Sequence, residues 1–233
     1  MSKKAFIPSA LRRAQGRPSS GQARHPFIGV VDYGSGNLRS VAKAFEHVGA
    51  TVKVGHSPLA LKGAAGIVVP GVGAFGDAMK VLRRARFDGW LQDQATAGTP
   101  LLGVCLGLQL FCQDSDEFGK HKGLGFFPAS VRRFAGPKKV PHMGWNPISF
   151  EPACPLFKGV KQGASFYFLH SYRAKLKGSQ VAAESKYGND TFVAALWQDN
   201  VYATQFHPEK SQRDGLKLYR NFWALCRAHA RTT

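Results

Sequence analysis

"GVCLGLQLF" (103–111) sets Cys105 between two glycines, where two apolar runs meet. The run before it, "PLLGV" (100–104), has the length of a buried strand, and a helix begins at Leu106. A cysteine at the centre of G-x-C-x-G on a strand-to-helix turn fits a nucleophile elbow with sulfur in place of the usual hydroxyl. Such a turn holds the nucleophile in a strained backbone conformation, and glycines on either side remove the side chains that would clash. The helix start favours thiolate, and the backbone N–H of Leu106 points at an oxyanion formed on attack. A packing cysteine beside a glycine turn satisfies the same five residues, so the rest of the chain has to decide.

Outward from the elbow the chain alternates. "FIGVVDY" (27–33) is a continuous apolar run ending at "GSGN", and "LRSVAKAFEHVGA" follows with helical spacing and Gly49 as a stop. "TVKVG" (51–55) and "GIVVP" (66–70) read as further strands, and 76–98 as a helix with a break near Asp88-Gly89. Alternation of this kind predicts an α/β fold with a parallel sheet. The second half is richer in strands: 165–174, 181–188, 191–200 and 201–209, with Asp199-Asn200 as a tight turn. A helix over 211–229 closes the chain, with Ser211 as its N-cap.

A nucleophile needs a base. Among eight histidines, His207 stands out in "YATQFHPEKS" (202–211). Pro208 restrains the backbone, and Glu209 lies two residues on, on the same side of an extended stretch. The carboxylate orients one imidazole nitrogen and leaves the other for a thiol. A surface histidine in a turn is the plain alternative; Cys105 upstream in the same chain argues against it. "VVPGVGAF" (68–75) ends a strand in Pro70-Gly71-Val72-Gly73, a loop that brings backbone N–H groups near a reacting carbonyl. In an open parallel sheet the carboxyl ends of the strands are where sites form, and this loop and the Cys105 turn both reach that edge. Cys112, without flanking glycines, reads as packing.

The 233 residues carry a formal net charge of +18. Residues 1–26 hold six of those charges and no acid (Lys3, Lys4, Arg12, Arg13, Arg17, Arg24). With their Ser, Pro and Gly they read as a flexible basic extension, and they share the composition of a transit peptide. The rest is scattered, densest in "RRAR" (83–86) and "RRFAGPKK" (132–139), and no nucleic-acid motif accompanies it. No run reaches the ~20 apolar residues of a membrane-spanning helix. Four cysteines without CxxC spacing give no disulfide framework and point to no metal site.

"PGVGAF", "GVCLGLQLF", "PHMGWN" and "QFHPEKS" together resemble the class I (triad) glutamine amidotransferases. Within them, "PHMGWN" (141–146) and "YFLHSYRA" (167–174) resemble the glutaminase-subunit family of imidazole glycerol phosphate synthase, the HisH type. The resemblance spans roughly 27–230. It implies a mostly parallel, flavodoxin-like central sheet flanked by helices, with extra antiparallel strands in the C-terminal half. It also implies one amidotransferase domain over 27–233 and hydrolysis of glutamine to glutamate and ammonia without metal or organic cofactor. Cys105 would form a glutamyl thioester, His207 would shuttle the proton and Glu209 would orient it. Gly71, Val72, Gly73 and Leu106 would bind the oxyanion; Gln109, Ser171 and Tyr172 would contact glutamine. The resemblance further implies a (β/α)₈ cyclase partner, in a heterodimer, that consumes the ammonia in histidine biosynthesis. Met143, Trp145, Asn146, Tyr167 and Lys210 would lie near that interface.

On the residues alone, Met143 and Trp145 are either core or partner surface. The prolines and glycine of "PHMGWNP" predict a loop, which favours an exposed pair. A separate glutaminase chain implies a prokaryotic, cytoplasmic protein, while the basic tail leaves an organelle open. Two other readings stand beside this one: a paralogous amidotransferase feeding a different synthase, and a basic binding protein on a degraded amidotransferase fold. The intact Cys105, His207 and Glu209 argue against the second of these.

Overall fold

The computed structural model describes residues 25–135 and 139–232; the basic extension over 1–26 lies almost wholly outside them. Strand β1 (Phe27–Val31) is buried along its whole length, as its unbroken apolar sequence requires of a strand covered on both faces. Helix α1 (Leu38–His47), β2 (Thr51–Gly55) and β3 (Gly66–Gly71) follow, then α2 (Phe75–Arg84), α3 (Phe87–Thr96), β4 (Leu101–Cys105) and α4 (Leu106–Phe111). The helix expected over 76–98 is thus two helices. The break falls at Ala85-Arg86, before Asp88-Gly89, because Arg86 takes a left-handed conformation (φ 58°) that ends one helix and starts the next.

The second half adds β5 (Cys112–Ser115), β6 (His121–Lys122), β7 (Phe127–Arg133), β8 (His142–Phe150), β9 (Ser165–His170), β10 (Tyr172–Lys175), β11 (Val181–Tyr187), β12 (Asp190–Gln198), β13 (Val201–Thr204) and α5 (Gln212–His229). Nine strands form one mixed sheet in the order β2-β1-β3-β4-β13-β12-β11-β8-β9. It is parallel from β2 to β13 and antiparallel beyond. A second sheet, β10-β7-β5-β6, packs beside it. The fold is therefore α/β, a large mixed sheet flanked by helices.

Three expectations change. The run 165–174 is two strands in different sheets, divided at Ser171. "PHMGWNP" is not a loop: His142–Pro147 pairs with β9, while β11 pairs only with Ile148–Phe150. One edge of this stretch is thus free of ladder bonds, which is where Pro147 and Gly144 (φ 146°) are tolerated in a strand. Ser211 makes no side-chain cap for α5; its hydroxyl donates to His207 O at 2.6 Å and accepts from Tyr167 N–H at 3.0 Å, joining three segments.

Apolar residues pack on both faces of the large sheet. On one face Phe45 of α1 stacks on Tyr219 of α5 with ring centroids 4.2 Å apart. On the other, buried residues of α2, α3 and α4 share one core with Phe127, Ala129 and Val131 of β7. Each such fully buried large side chain contributes about 1.5–3 kcal/mol over an exposed one. Both layers are therefore fixed tightly enough to set the end of β4 with precision.

Candidate active site

Cys105 ends β4 with φ 55° and ψ −105°, a strained conformation for a residue with a side chain. The two flanking glycines are sterically required. A Cβ on Gly107 would stand 1.9 Å from Val69 O, and one on Gly103 would stand 2.7 Å from the Gly107 carbonyl. The elbow thus forms where β4 turns into α4 pressed directly on β3, and the thiol is turned out of the strand into a pocket.

His207 follows β13, the neighbour of β4 in the sheet, which brings residues 105 and 207 to one edge. Glu209 reaches it, but not across an extended strand. Pro208–Lys210 is a 3₁₀ turn, because proline's fixed φ starts a turn readily, and the turn carries Glu209 Oε1 to 2.7 Å from His207 Nδ1. Burial works against charge on this imidazole, but the Cys105 sulfur and the Glu209 carboxylate outweigh it and raise its pKa to about 10. Burial also opposes charge on Glu209. The hydrogen bond and charge of His207, helped by Asn37, overcome it and hold the carboxyl below its usual range. The arrangement is a thiol, a base held ready to carry a proton, and a carboxylate that fixes the base's tautomer.

The pocket beside Cys105 encloses about 230 Å³, smaller than the roughly 300–1,000 Å³ of sites for drug-sized ligands. Val72, Gly73, Leu106, Gln109, Ser171, Tyr172 and Lys210 line it together with Cys105 and His207. Gly71 lies just behind, as the last residue of β3, paired with Cys105. Gln109 is held by bonds from its Nε2 to Tyr172 O (3.0 Å) and Gln205 Oε1 (3.2 Å). Cys105 Sγ lies 3.8 Å from both Leu169 O and Gln205 Nε2. Larger grooves, of about 580 and 650 Å³, lie elsewhere and bring no cysteine together with a histidine base among the described residues.

Five residues to which the sequence reading gave no part in the site complete it. Asn37 donates to Glu209 Oε1 at 2.5 Å and Tyr219 to Oε2 at 3.0 Å, so both carboxylate oxygens are fixed. Ser35 Oγ accepts the N–H of Val72 at 3.0 Å, while Tyr33 donates to Pro70 O at 2.8 Å. The turn after β1 therefore grips both the carboxylate and the 70–72 strand end. Glu117 lines the pocket and accepts the Phe75 N–H at the start of α2, at 2.7 Å. Its only signal in the sequence is an acidic cluster, "DSDE" (114–117), shortly after the elbow helix.

Met143 and Trp145 are 65% and 47% exposed. They share the outer face of β8, and Trp145 meets Tyr167 edge-on, with ring centroids 6.1 Å apart. Lys210 Nζ lies 5.7 Å from the Tyr167 ring and continues the patch to the mouth of the pocket. Asn146 differs. It alternates to the inner face, where Oδ1 lies 2.9 Å from His142 Nε2 and Nδ2 donates to Lys186 O. Cys112 is fully buried with its Sγ at 3.3 Å from Leu108 O, and burial pushes its thiol far up. No helix of the described residues is long and apolar enough to cross a membrane.

A family model described as glutamine amidotransferase class-I matches residues 29–225. The chain is 48% identical over 204 residues to "Imidazole glycerol phosphate synthase subunit HisH" of Syntrophotalea carbinolica, covering 84% of this chain and 98% of that one. It is 47% identical over 200 residues to the protein of the same name from Desulfitobacterium hafniense, covering 84% and 93%. Among solved structures, PurLQS from Thermotoga maritima superposes with TM-score 0.68 at 19% identity, covering 86% of this chain and 98% of that one. A crystal structure of a glutamine amidotransferase superposes with TM-score 0.67 at 22% identity, covering 85% and 98%. At these identities the structural matches speak for the fold alone.

Proposed function

The chain belongs to the class I glutamine amidotransferase family, and from that premise we propose that it is the glutaminase subunit of imidazole glycerol phosphate synthase, supplying ammonia to a separate (β/α)₈ cyclase. The observation that carries the chemistry is His207, set between the Cys105 sulfur and a Glu209 carboxylate 2.7 Å away. The Cys105 thiolate attacks the side-chain amide carbon of glutamine, and the oxyanion forms beside the N–H groups of Leu106 and the 71–73 strand end. The imidazolium of His207 gives its proton to the departing nitrogen, releasing ammonia and leaving a glutamyl thioester. Water then attacks the thioester, His207 takes its proton, and collapse frees glutamate and restores the thiolate–imidazolium pair. Glu209 fixes the orientation of His207 throughout and stays ionised.

Glutamine carries an α-ammonium that needs a carboxylate, and Glu117 is the pocket's carboxylate outside the His207 pair. Glu117→Gln keeps an oxygen for the Phe75 N–H but loses the charge. A charge-assisted bond of about 1.5–3 kcal/mol is lost, so KM for glutamine rises by roughly tenfold to a hundredfold with kcat little changed. Steady-state kinetics of the complex test this, and an unchanged KM removes Glu117 from the role.

The N–H of Val72 is engaged by Ser35. We infer that this bond keeps half of the oxyanion site idle until the partner docks. Ser35→Ala removes a bond of about 1 kcal/mol, so partner-free glutaminase activity rises roughly fivefold while the partner-stimulated rate stays near normal. A partner-free rate equal to that of the unaltered chain overturns this inference.

The patch of Met143, Trp145, Tyr167 and Lys210 supports docking at the mouth of the pocket, where ammonia leaves. The decisive experiment measures glutamine hydrolysis by the purified chain alone, with the cyclase, and with the cyclase plus its nucleotide substrate. Hydrolysis that depends on cyclase and nucleotide supports the assignment. Activation by some other synthase instead supports a paralogous role.

A further inference from the structure

Inward from the pocket, whose wall includes His170, a line of polar side chains runs through an aromatic interior from one backbone carbonyl to another. Asn146 Nδ2 donates to Lys186 O at 2.6 Å, and Asn146 Oδ1 lies 2.9 Å from His142 Nε2. His142 Nδ1 lies 3.2 Å from His170 Nε2, and His170 Nδ1 lies 2.8 Å from Tyr172 O. His142 and His170 are 1% and 6% exposed, walled by Phe134, Phe168, Tyr187 and Phe192.

These contacts cannot all be hydrogen bonds in a neutral network. Both ends are carbonyl oxygens, which only accept. Asn146 cannot reverse its amide, because Oδ1 would then face Lys186 O. Four contacts need four protons in line, while the amide and two neutral imidazoles supply three. A fourth would make the pair cationic. Burial, with His142, His207 and Arg173 nearby, opposes that and lowers the pKa of His170 to about 3.

One contact is therefore unmade, and its position depends on Asn146. With Asn146 Oδ1 accepting the hydrogen bond of His142 Nε2–H, His142 Nδ1 is bare and accepts from His170 Nε2. His170 Nδ1 is then bare against Tyr172 O. Placing both protons outward instead sets two bare nitrogens 3.2 Å apart. With Asn146 drawn away, His142 donates from Nδ1 to His170, and His170 donates from Nδ1 to Tyr172 O. The Tyr172 carbonyl is also what Gln109 Nε2 holds, and both residues line the pocket.

We propose that the His142–His170 pair is a positioning device for the pocket, in which Asn146 on the partner-facing strand β8 decides whether His170 donates to the Tyr172 carbonyl. This rests on reading β8 as the docking strand and the pocket as the glutamine site. A partner that takes up the Asn146 amide moves the unmade contact from the pocket to the interface, and the Tyr172–Gln109 wall becomes fully bonded as glutamine binds.

The test labels the full chain with ¹⁵N-histidine and reads imidazole tautomers by long-range ¹⁵N–¹H correlation. The samples are the free chain, its complex with the cyclase, and the free Asn146→Ala chain. His170 carries its proton on Nδ1 in the last two and not predominantly so in the first. The same tautomers in all three overturn the proposal. Kinetics of the complex supply the second readout. His170→Phe, which suits the aromatic walls but cannot donate, raises KM for glutamine about tenfold with kcat changed less than about twofold. His170→Asn, whose amide N–H stands near the place of Nδ1–H, returns KM to within about threefold of the unaltered complex. A packing role gives the reverse order, and that order, or equal KM values, also overturns the proposal. An unaltered complex that hydrolyses no glutamine instead refutes the functional reading, and the tautomer measurement remains decisive because it needs no turnover.

Discussion

Cys105→Ala abolishes glutamine hydrolysis, by roughly four to six powers of ten in kcat, while the fold survives. In the proposed mechanism the thiol is the attacking atom, and no neighbouring group replaces it: Gln205 and the Leu169 carbonyl, at 3.8 Å from Sγ, are not nucleophiles under these conditions. The fold survives because, besides its interaction with His207, the sulfur makes only long contacts, to Leu169 O and Gln205 Nε2 at 3.8 Å, among the described residues. A second substitution separates chemistry from strain. Alanine inherits the backbone conformation at φ 55° and ψ −105°, whereas glycine adopts it freely. Cys105→Gly is therefore as inactive as Cys105→Ala but more stable than it, by about 1 kcal/mol, which is strain relief of about 1–3 kcal/mol less the greater chain entropy of glycine. Glutaminase assays with the partner and thermal melts of both variants check this. Cys112→Ala is the control and keeps its turnover, because Cys112 begins β5 beyond the end of α4 and does not line the pocket. A Cys105→Ala protein with normal turnover ends the mechanism.

The elbow was legible because its whole logic is local: a strand, a turn and two glycines within nine residues. His207 and Glu209 were legible for the same reason, although the spacing works through a 3₁₀ turn and not an extended strand. The parts that were not legible are long-range. Asn37 meets Glu209 across 172 positions, and Ser35 meets Val72 across 37. Nothing in "GSGN" marks which of its residues faces the carboxylate and which the oxyanion strand. Glu117 was hidden differently, since an acidic turn is usually solvated surface, and it is the Phe75 N–H at the start of α2, which packs against β6, that holds its carboxylate at the pocket. Part of the second sheet escaped because β5 and β6 are only four and two residues long, so neither holds a period long enough to read, while β10 was read as the end of a single strand over 165–174. "PHMGWNP" misled because glycine and proline exclude a strand only where both edges must be bonded. Here one edge is free, and the exposed Met143 and Trp145 that a loop was meant to explain sit on the outer face of a strand instead.

Gly107→Ala costs both the fold and the activity, and for one reason. The added Cβ would stand 1.9 Å from Val69 O and 3.0 Å from Val69 C. These are backbone atoms of a strand bonded on both sides, to β1 and β4, so they cannot withdraw without breaking the centre of the sheet. The helix must yield instead. It is only six residues long and leads directly from Cys105, so any retreat of α4 carries the Leu106 N–H and the thiol with it. Overpacking of this kind costs about 1–3 kcal/mol where neighbours can adjust. With rigid backbone opposite, the expected loss is at least about 3 kcal/mol, which lowers Tm by roughly 6–12 °C in a chain of this size. A displacement of about 1 Å at the reacting atom costs on the order of a hundredfold in rate, so the protein that does fold is at least that much slower in partner-stimulated glutaminase. Gly89→Ala is the matched control. It lies in α3 with nothing within 4 Å of the added carbon, and it leaves activity intact while gaining up to about 1 kcal/mol from helix propensity. Melting curves and turnover of the two variants, measured side by side, decide the matter. If Gly107→Ala melts and turns over like Gly89→Ala, the close approach of α4 to β3 is not what builds the elbow.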